Sequence, residues 1–350
     1  MSAIESSAAF VGLIDLAADA VGGQTLSCSD DFFAGKENLL KPGRGVFLPD
    51  EFTDRGKWMD GWESRRKRHA GHDDCIIKLG IRGYVRAVDI DTNHFLGNHP
   101  PYASLEATRA PKGATVDDLQ ACDWVELIAQ SPLRPGSQNL FAVSAGDVAF
   151  THLRLRIYPD GGVARLRVWG SPDPDWTATE VDEETRPHHQ DGEVDLASIR
   201  NGGLALACSD AFFGPMNNLI APGRAVNMGG GWETRRKRLP GNDWILVRLG
   251  AAGEVSLVEV DTNHFKGNFA DRFALRGINA PGAKITDLVS VGAYSSDGPW
   301  QTVVLETSLT ASHRHFFRDE VRLRGPFTHV RLDIFPDGGV SRLRVWGRRT

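Results

Sequence analysis

Cysteine is scarce in this chain. Four residues in 350 exclude a disulfide framework and point to a reducing compartment, the cytoplasm. No apolar run is long enough to span a bilayer, so no membrane partner is expected. Formal net charge is −5, from 45 acidic and 40 basic side chains, which leaves no overall basic field for nucleic acid. C-x-x-C and H-E-x-x-H spacings are missing, which removes the common zinc motifs. A phosphate-cradling glycine loop and a G-x-S-x-G nucleophile elbow are missing too. The opening segment, MSAIESSAAFVGLIDLAADAVGG, has no basic leading region and carries Asp15 and Asp19, so it does not read as a secretory signal.

What the chain does have is a duplication. FTHLRLRIYPDGGVARLRVWG, Phe150 to Gly170, returns as FTHVRLDIFPDGGVSRLRVWG, Phe327 to Gly347. IDLAADAVGG pairs with VDLASIRNGG, GWESRRKR with GWETRRKR, and DTNHF with DTNHF, all in the same order. Collinear matches at a long period mean two copies of one domain. The boundaries fall at 1–170 for the first repeat, 171–192 for a linker and 193–350 for the second repeat. At roughly 150 residues each, both repeats can bury a core without staples. The linker is rich in proline and acid with no apolar period. Its adjacent His188 and His189 read as solvated rather than as a metal tract. Cys28 and Cys208 match between repeats and read as small buried residues.

The periodicity is that of strands. Leu153, Leu155 and Ile157 alternate with Arg154, Arg156 and Tyr158, and Ala164, Leu166 and Val168 alternate with Arg165, Arg167 and Trp169. Asp160-Gly161 between them signals a hairpin turn. CIIKLGIRGYVRAVDIDTNHF reads as two strands broken at Gly80 to Gly83. Short helices are expected at IDLAA and near Ser29, which would cap a first turn. Together these predict a mostly β protein, a sandwich in each repeat.

Two short matches carry residues with chemistry. In DTNHF a regular strand would place His94 with Val88 and Ile90, and Asp89, Asp91 and Asn93 on the other face; Glu259, Asp261 and Asn263 form the matching row. His94 and His264 read either as core histidines bonded to a buried carboxylate or as part of a polar ligand site. Asp91 and Asn93 read equally as a strand-end turn that caps backbone groups. In GWE-x-RRKR, Glu63 and Glu233 are potential acid/base groups. Arg65, Arg66, Arg235 and Arg236 read as forks for a carboxylate or as a solvated basic turn. Acidic surroundings and the lack of interleaved aromatics weigh against nucleic acid. Arg165, Arg167, Arg342 and Arg344 are expected to pair with acids on neighbouring strands.

The repeats also differ. FLPDEFTDRGKWMD lies between Val46 and Gly61, where the second repeat has only NMGG. Asp50, Glu51, Asp54, Arg55, Lys57 and Trp58 are therefore expected either to close over a site or to form an oligomer contact. Arg314 and His315 in the second repeat stand where the first has Gln138 and Asn139.

PGRGVFLPDEFTDRGKWMDGWESRRKR, followed by VDIDTNHFLGN, closely resembles the allantoicase family, as do NDWILVRLG, EVDTNHFKGN and the FPDGGVSRLRVWG segment. The resemblance spans nearly the whole chain. It implies a tandem pair of jelly-roll β-sandwiches similar to galactose-binding domains, hydrolysis of allantoate to ureidoglycolate and urea, and a homo-oligomer. Some members are stimulated by a divalent metal such as manganese. Allantoate carries one carboxylate and two ureido groups on one carbon. Its hydrolysis calls for a cationic partner, a general acid and a general base. On that chemistry Glu63, Glu233, His94 and His264 are the expected acid/base groups. Arg65/Arg66 and Arg235/Arg236 are expected at the carboxylate. Asn93 and Asn263 are expected on the ureido nitrogens, and Asp91 and Asp261 on those nitrogens or a metal. The competing expectation is a catalytically silent jelly roll that binds a sugar or other small ligand, with Trp58, Trp62 and Trp232 as stacking surfaces for a sugar.

Overall fold

The computed structural model describes residues 12–177, 181–290 and 298–350. Two compact units divide the chain, Met1–Asp173 and Pro174–Thr350. The first unit runs β1 (Ile14–Asp15), β2 (Gln24–Cys28), β3 (Phe52–Thr53), β4 (Gly56–Lys57), β5 (Trp62–Glu63), β6 (Asp73–Asp91), β7 (Tyr102–Thr108), β8 (Val125–Pro132), β9 (Leu140–Ala142), β10 (Phe150–Tyr158), β11 (Gly162–Val163) and β12 (Arg165–Pro172). The fold is a jelly-roll sandwich built around one long strand.

That strand is β6, 19 residues long. Its first part pairs with β2 and β10, and its last part pairs with β12 and β9. One continuous strand therefore serves both layers. The Gly80–Gly83 stretch, expected as a break between two strands, is where β6 changes partners without ending. The expected hairpin across Asp160-Gly161 is also absent. β10 and β12 pair with different parts of β6 and not with each other. The turn between them carries the chain from one layer to the other and places β11 against β5. Ile14–Asp15 is a strand rather than a helix, and Ser29 binds Asp73 instead of capping a turn.

Alternation does set the core. Leu153, Leu155, Ile157, Ala164, Leu166 and Val168 are fully buried. Between them Arg154 and Arg156 share Glu106 of β7 at 2.7 and 2.9 Å. Cys75 is buried, whereas Cys28 and Cys208, expected inside, are only half-buried; all four cysteines are free.

The second unit repeats this plan with β13 (Val194–Asp195), β14 (Leu204–Cys208), β15 (Trp232–Glu233), β16 (Asp243–Asp261), β17 (Arg272–Ile278), β18 (Gln301–Ser308), β19 (Arg314–Phe317), β20 (Phe327–Phe335), β21 (Gly339–Val340) and β22 (Arg342–Arg349). Strand order is the same as in the first unit.

The expected linker is not a solvated tether. Residues 181–190 are bonded to the second unit, where Asp182 binds Arg224 and Arg314, and His188 stacks on Phe316 at 4.1 Å. His189 contacts Trp346 edge-on at 5.2 Å.

Three repeated segments meet at one ring. Phe95, fully buried, packs against Gly61 and Gly162, where an added Cβ would lie 2.6 and 2.0 Å from ring carbons. In the second unit Phe265 packs on Gly231 and Gly339 with the same closeness, 2.7 and 2.0 Å. Only glycine admits this approach. Gly162→Ala is expected to cost about 1–3 kcal/mol by overpacking. The loss should shrink in a Phe95→Ala background, because the clash and the ring are one interaction. Urea unfolding of both single variants and the double variant measures this; strictly additive losses would show that the contact is not tight.

Candidate active site

Glu63 owes its position to backbone pairing. β5 pairs with β11 in the register Glu63↔Gly162 and Trp62↔Val163. Trp62 points into the core, with its indole N–H donating to the Asp30 carbonyl at 2.8 Å. Alternation then sends the Glu63 side chain to the other face, where it is half-buried. Its Oε1 accepts a hydrogen bond from Asn98 Nδ2 at 2.7 Å. Asn98 is fixed in turn because its carbonyl accepts from the Gly162 N–H at 2.8 Å.

His94 lies just past the end of β6 in a turn closed by Phe95 N–H donating to Thr92 O at 2.9 Å. Its φ is +69°, and that of His264 is +74°. A non-glycine residue held in the left-handed region is a costly conformation that concentrates at functional positions. The ring is half-buried and stacks on Phe47 at 5.6 Å, so His94 is not the core histidine that regular alternation would make it. The hairpin of β3 and β4, inside the first-repeat insertion, brings Lys57 to the same place.

Glu63, His94, Asn98 and Lys57 line one cleft of about 310 Å³, with Phe33, Met59 and Leu96 as apolar walls. That volume sits at the small end of ligand pockets. Burial pushes the Glu63 carboxyl above the usual carboxylate range, against the Asn98 hydrogen bond that favours the charged form. With Oε1 engaged by Asn98, Oε2 is the oxygen left to carry a proton. A desolvated carboxyl and an imidazole in one cleft are the groups that general acid–base chemistry uses.

The other expected residues are not in the cleft lining. Arg65 is exposed, bonded to Asp30 at 2.6 Å and placed over the Phe32 ring; Arg235 repeats this with Asp210 at 2.8 Å and Phe212. Arg66 and Arg236 are exposed. In the basic run the residues with buried partners are Lys67 and Lys237, held by Asp73 and Asp243 at 2.8 and 2.9 Å. Asp91 caps its own turn, accepting from Asn93 N–H at 3.0 Å, and receives Arg44 at 2.8 and 3.0 Å. Asn93 donates its amide to the Arg44 carbonyl at 3.0 Å, so it positions a loop. Trp62 and Trp232 are fully buried, which removes them as sugar-stacking surfaces.

In the second unit the same parts have different neighbours. Glu233 receives Asn268 at 2.6 Å, and His264 is exposed, with its Nε2 2.9 Å from the Ala225 carbonyl oxygen. The strand-end acids Glu259 and Asp261 meet Arg224 at 2.6 and 3.3 Å. Arg314 adds a second guanidinium on Glu259 at 3.0 Å, and both arginines also grip Asp182. Burial works against the Asp182 charge, but the Thr185 N–H and Arg224 hold its carboxyl far below the usual range. His315 is half-buried, with Nε2 accepting from the Thr310 N–H at 2.9 Å.

These residues do not fit a divalent metal. Asp91 and Asp261 already meet a guanidinium and an amide N–H, so the oxygens a metal would take are engaged. Among the described residues no three His, Cys, Asp or Glu side chains are placed to hold a metal ion.

Asn98 and Arg44 were missed at the sequence level, yet both carry the signal that flagged their neighbours. LGN and KGN continue the DTNHF match, and PGRG and PGRA place Arg44 opposite Arg224. What was missing was the fold, which alone shows that Asn98 reaches Glu63.

A sequence model described as the allantoicase repeat matches residues 14–173 and 194–350. A probable allantoicase of Burkholderia mallei is 46% identical over 95% of this chain and 94% of its own length. One from Pseudomonas fluorescens is 45% identical over 97% of this chain and 98% of its own. The crystal structure of allantoicase from Saccharomyces cerevisiae superposes with a TM-score of 0.77 at 33% identity, covering 99% of this chain and 98% of that one.

Asp89, near the end of β6, offers a test of the electrostatics. Burial pushes its carboxyl from 3.8 up to about 7, with Gln138 and Asn139 as hydrogen-bond donors. The folded state thus keeps a proton that the unfolded chain releases. Its contribution is full below about pH 4 and is lost as pH rises to 7. Asp89→Asn should therefore gain stability relative to the parent as pH rises through that window. Denaturant melts at several pH values check this; a pH-independent difference would mean that Asp89 is ionised throughout.

Proposed function

The chain belongs to the allantoicase family, and on that premise we propose that it hydrolyses allantoate to ureidoglycolate and urea, in purine degradation, in the cleft of its first repeat. The observation that supports this placement is Glu63, desolvated and held by Asn98 in the same cleft as His94.

Burial keeps Glu63 protonated to higher pH, so it donates that proton to the leaving ureido nitrogen as the carbon–nitrogen bond breaks. The remaining ureido nitrogen shares its lone pair with the carbon, which becomes iminium-like. His94 accepts a proton from the water whose oxygen bonds to that carbon. Transfer of this proton back to Glu63 through solvent restores both groups, with one water consumed and one urea released. The αL backbone and the Phe47 ring hold the imidazole in place, and the apolar walls limit competing water. Asp91 and Asp261 bind arginine, and no step runs through a metal.

The sugar-binding alternative loses two of its three stacking surfaces with the burial of Trp62 and Trp232, while Trp58 stays half-buried. Cytoplasmic location is supported by four free cysteines, and among the described residues no helix is long and apolar enough to cross a membrane. A homo-oligomer is supported by exposed Phe47, Leu48 and Phe52 near the cleft, apolar surface of the kind a second copy covers.

Glu63→Gln should lower kcat by about 10²- to 10⁴-fold with the unfolding midpoint unchanged. Because the acid must be protonated, activity of the parent falls as pH rises through the raised Glu63 pKa, and the variant should lack that limb. Glu233→Gln should lose less than about tenfold, well short of the roughly 10²-fold that marks a working acid/base group. His94→Asn, whose new side chain tolerates positive φ, should keep the fold and lose about 10²-fold. Urea release across pH measures all three; normal turnover in Glu63→Gln would remove the acid from this scheme.

A further inference from the structure

Resting on the reading that the first-repeat cleft hydrolyses allantoate, we propose that Lys57 binds the substrate carboxylate and makes the enzyme selective for an acid.

A carboxylate entering the cleft needs a cation. Glu63 and Asn98 supply none, and the arginines nearby already face carboxylates: Arg65 on Asp30, Arg44 on Asp91, and Arg165 on Asp60 at 2.7 Å. Lys57 is the lysine or arginine in the cleft lining. Its Nζ lies 5.1 Å from the centroid of Phe47 and 4.5 Å from that of Phe52, and donates to the Pro49 carbonyl. None of these is an anion. Rings and a carbonyl hold an ammonium in place without neutralising it, which leaves its charge to an incoming anion.

The insertion is built to hold that position. Lys57 pairs with Phe52 across the β3–β4 hairpin, and Trp58 N–H donates to Glu51 O at 3.1 Å. At its base Asp60 takes the Val46 N–H at 2.9 Å and pairs with buried Arg165. The loop is thus tied to β12 rather than left free. The second repeat has a short turn, Met228–Gly230, in this place, and Asn268 there contacts the Met228 sulfur at 3.3 Å. Among the described residues, Glu233, His264 and Asn268 therefore have no counterpart of Lys57. Lys266 stands where the first repeat has Leu96, and it is exposed.

The test is Lys57→Met, which keeps the aliphatic stem, alongside Lys57→Arg and Lys266→Met. Substrates are allantoate and its carboxamide analogue, with urea release for turnover and calorimetry for binding. Lys57→Met should raise KM and Kd for allantoate by about 10- to 100-fold, the worth of one charge-assisted hydrogen bond, with kcat changed far less. It should leave the carboxamide unaffected, while Lys57→Arg recovers most of the loss and Lys266→Met leaves KM within about twofold. An unchanged Kd for allantoate in Lys57→Met overturns the proposal, as does parent enzyme that binds the carboxamide as well as the acid. Allantoate bound through Lys57 but not hydrolysed would overturn the proposed reaction and leave the anchor standing.

Discussion

The structure of each repeat turns on an aromatic ring pressed against two glycines. Phe95 in the first unit and Phe265 in the second fill the space that side chains at Gly61/Gly162 and Gly231/Gly339 would need. Through this contact GWE, DTNHF and PDGG become one assembly. β5 can then pair with β11, which aims Glu63 away from the core, and the Gly162 N–H can hold the Asn98 carbonyl. Close packing around the ring thus sets the geometry of the polar groups outside it, since a dense interior leaves little room for a side chain to shift.

Charge is managed differently in the two repeats. In the first, Asp91 is neutralised by Arg44, while Asp89 has amide donors and stays protonated to about pH 7. In the second, Arg314 replaces Gln138, Glu259 replaces Asp89, and the segment before the repeat adds Asp182. Two arginines then bind four carboxylates, Asp182, Glu184, Glu259 and Asp261, so the strand-end cluster is closed by its own chain. The first repeat keeps an open cleft nearby with Lys57 at its edge, and the second has a glycine turn there. Duplication supplied two equal frames, and a loop and a linker made them unequal.

Much of this was legible. Alternation identified the buried faces, because a period of two is enforced wherever one side of a strand meets a core. Comparison of the copies picked out Glu63 and His94. It did not find Asn98 as a partner for Glu63, and it assigned the carboxylate to Arg65 and Arg66, which lie outside the cleft lining. It also took the PDGG turn for a simple hairpin. That turn instead joins two layers and carries the backbone on which Glu63 and Asn98 rest. These differences share a cause: a repeated residue is marked as needed, but local pattern does not say for what.

The sequence by itself determined the duplication, the β class, the buried faces of the strands and the residue types available for chemistry. These follow from local periodicity and from the match between copies. Tertiary structure alone decided which of those residues meet. β6 serves both layers, so residues far apart in the chain converge at its end. Arg65 turns to Asp30, Asp91 to Arg44, and among the described residues Lys57 meets rings rather than an anion, because the insertion sets it against them. Partner choice depends on distances across the sandwich, and those are fixed only when the core has packed.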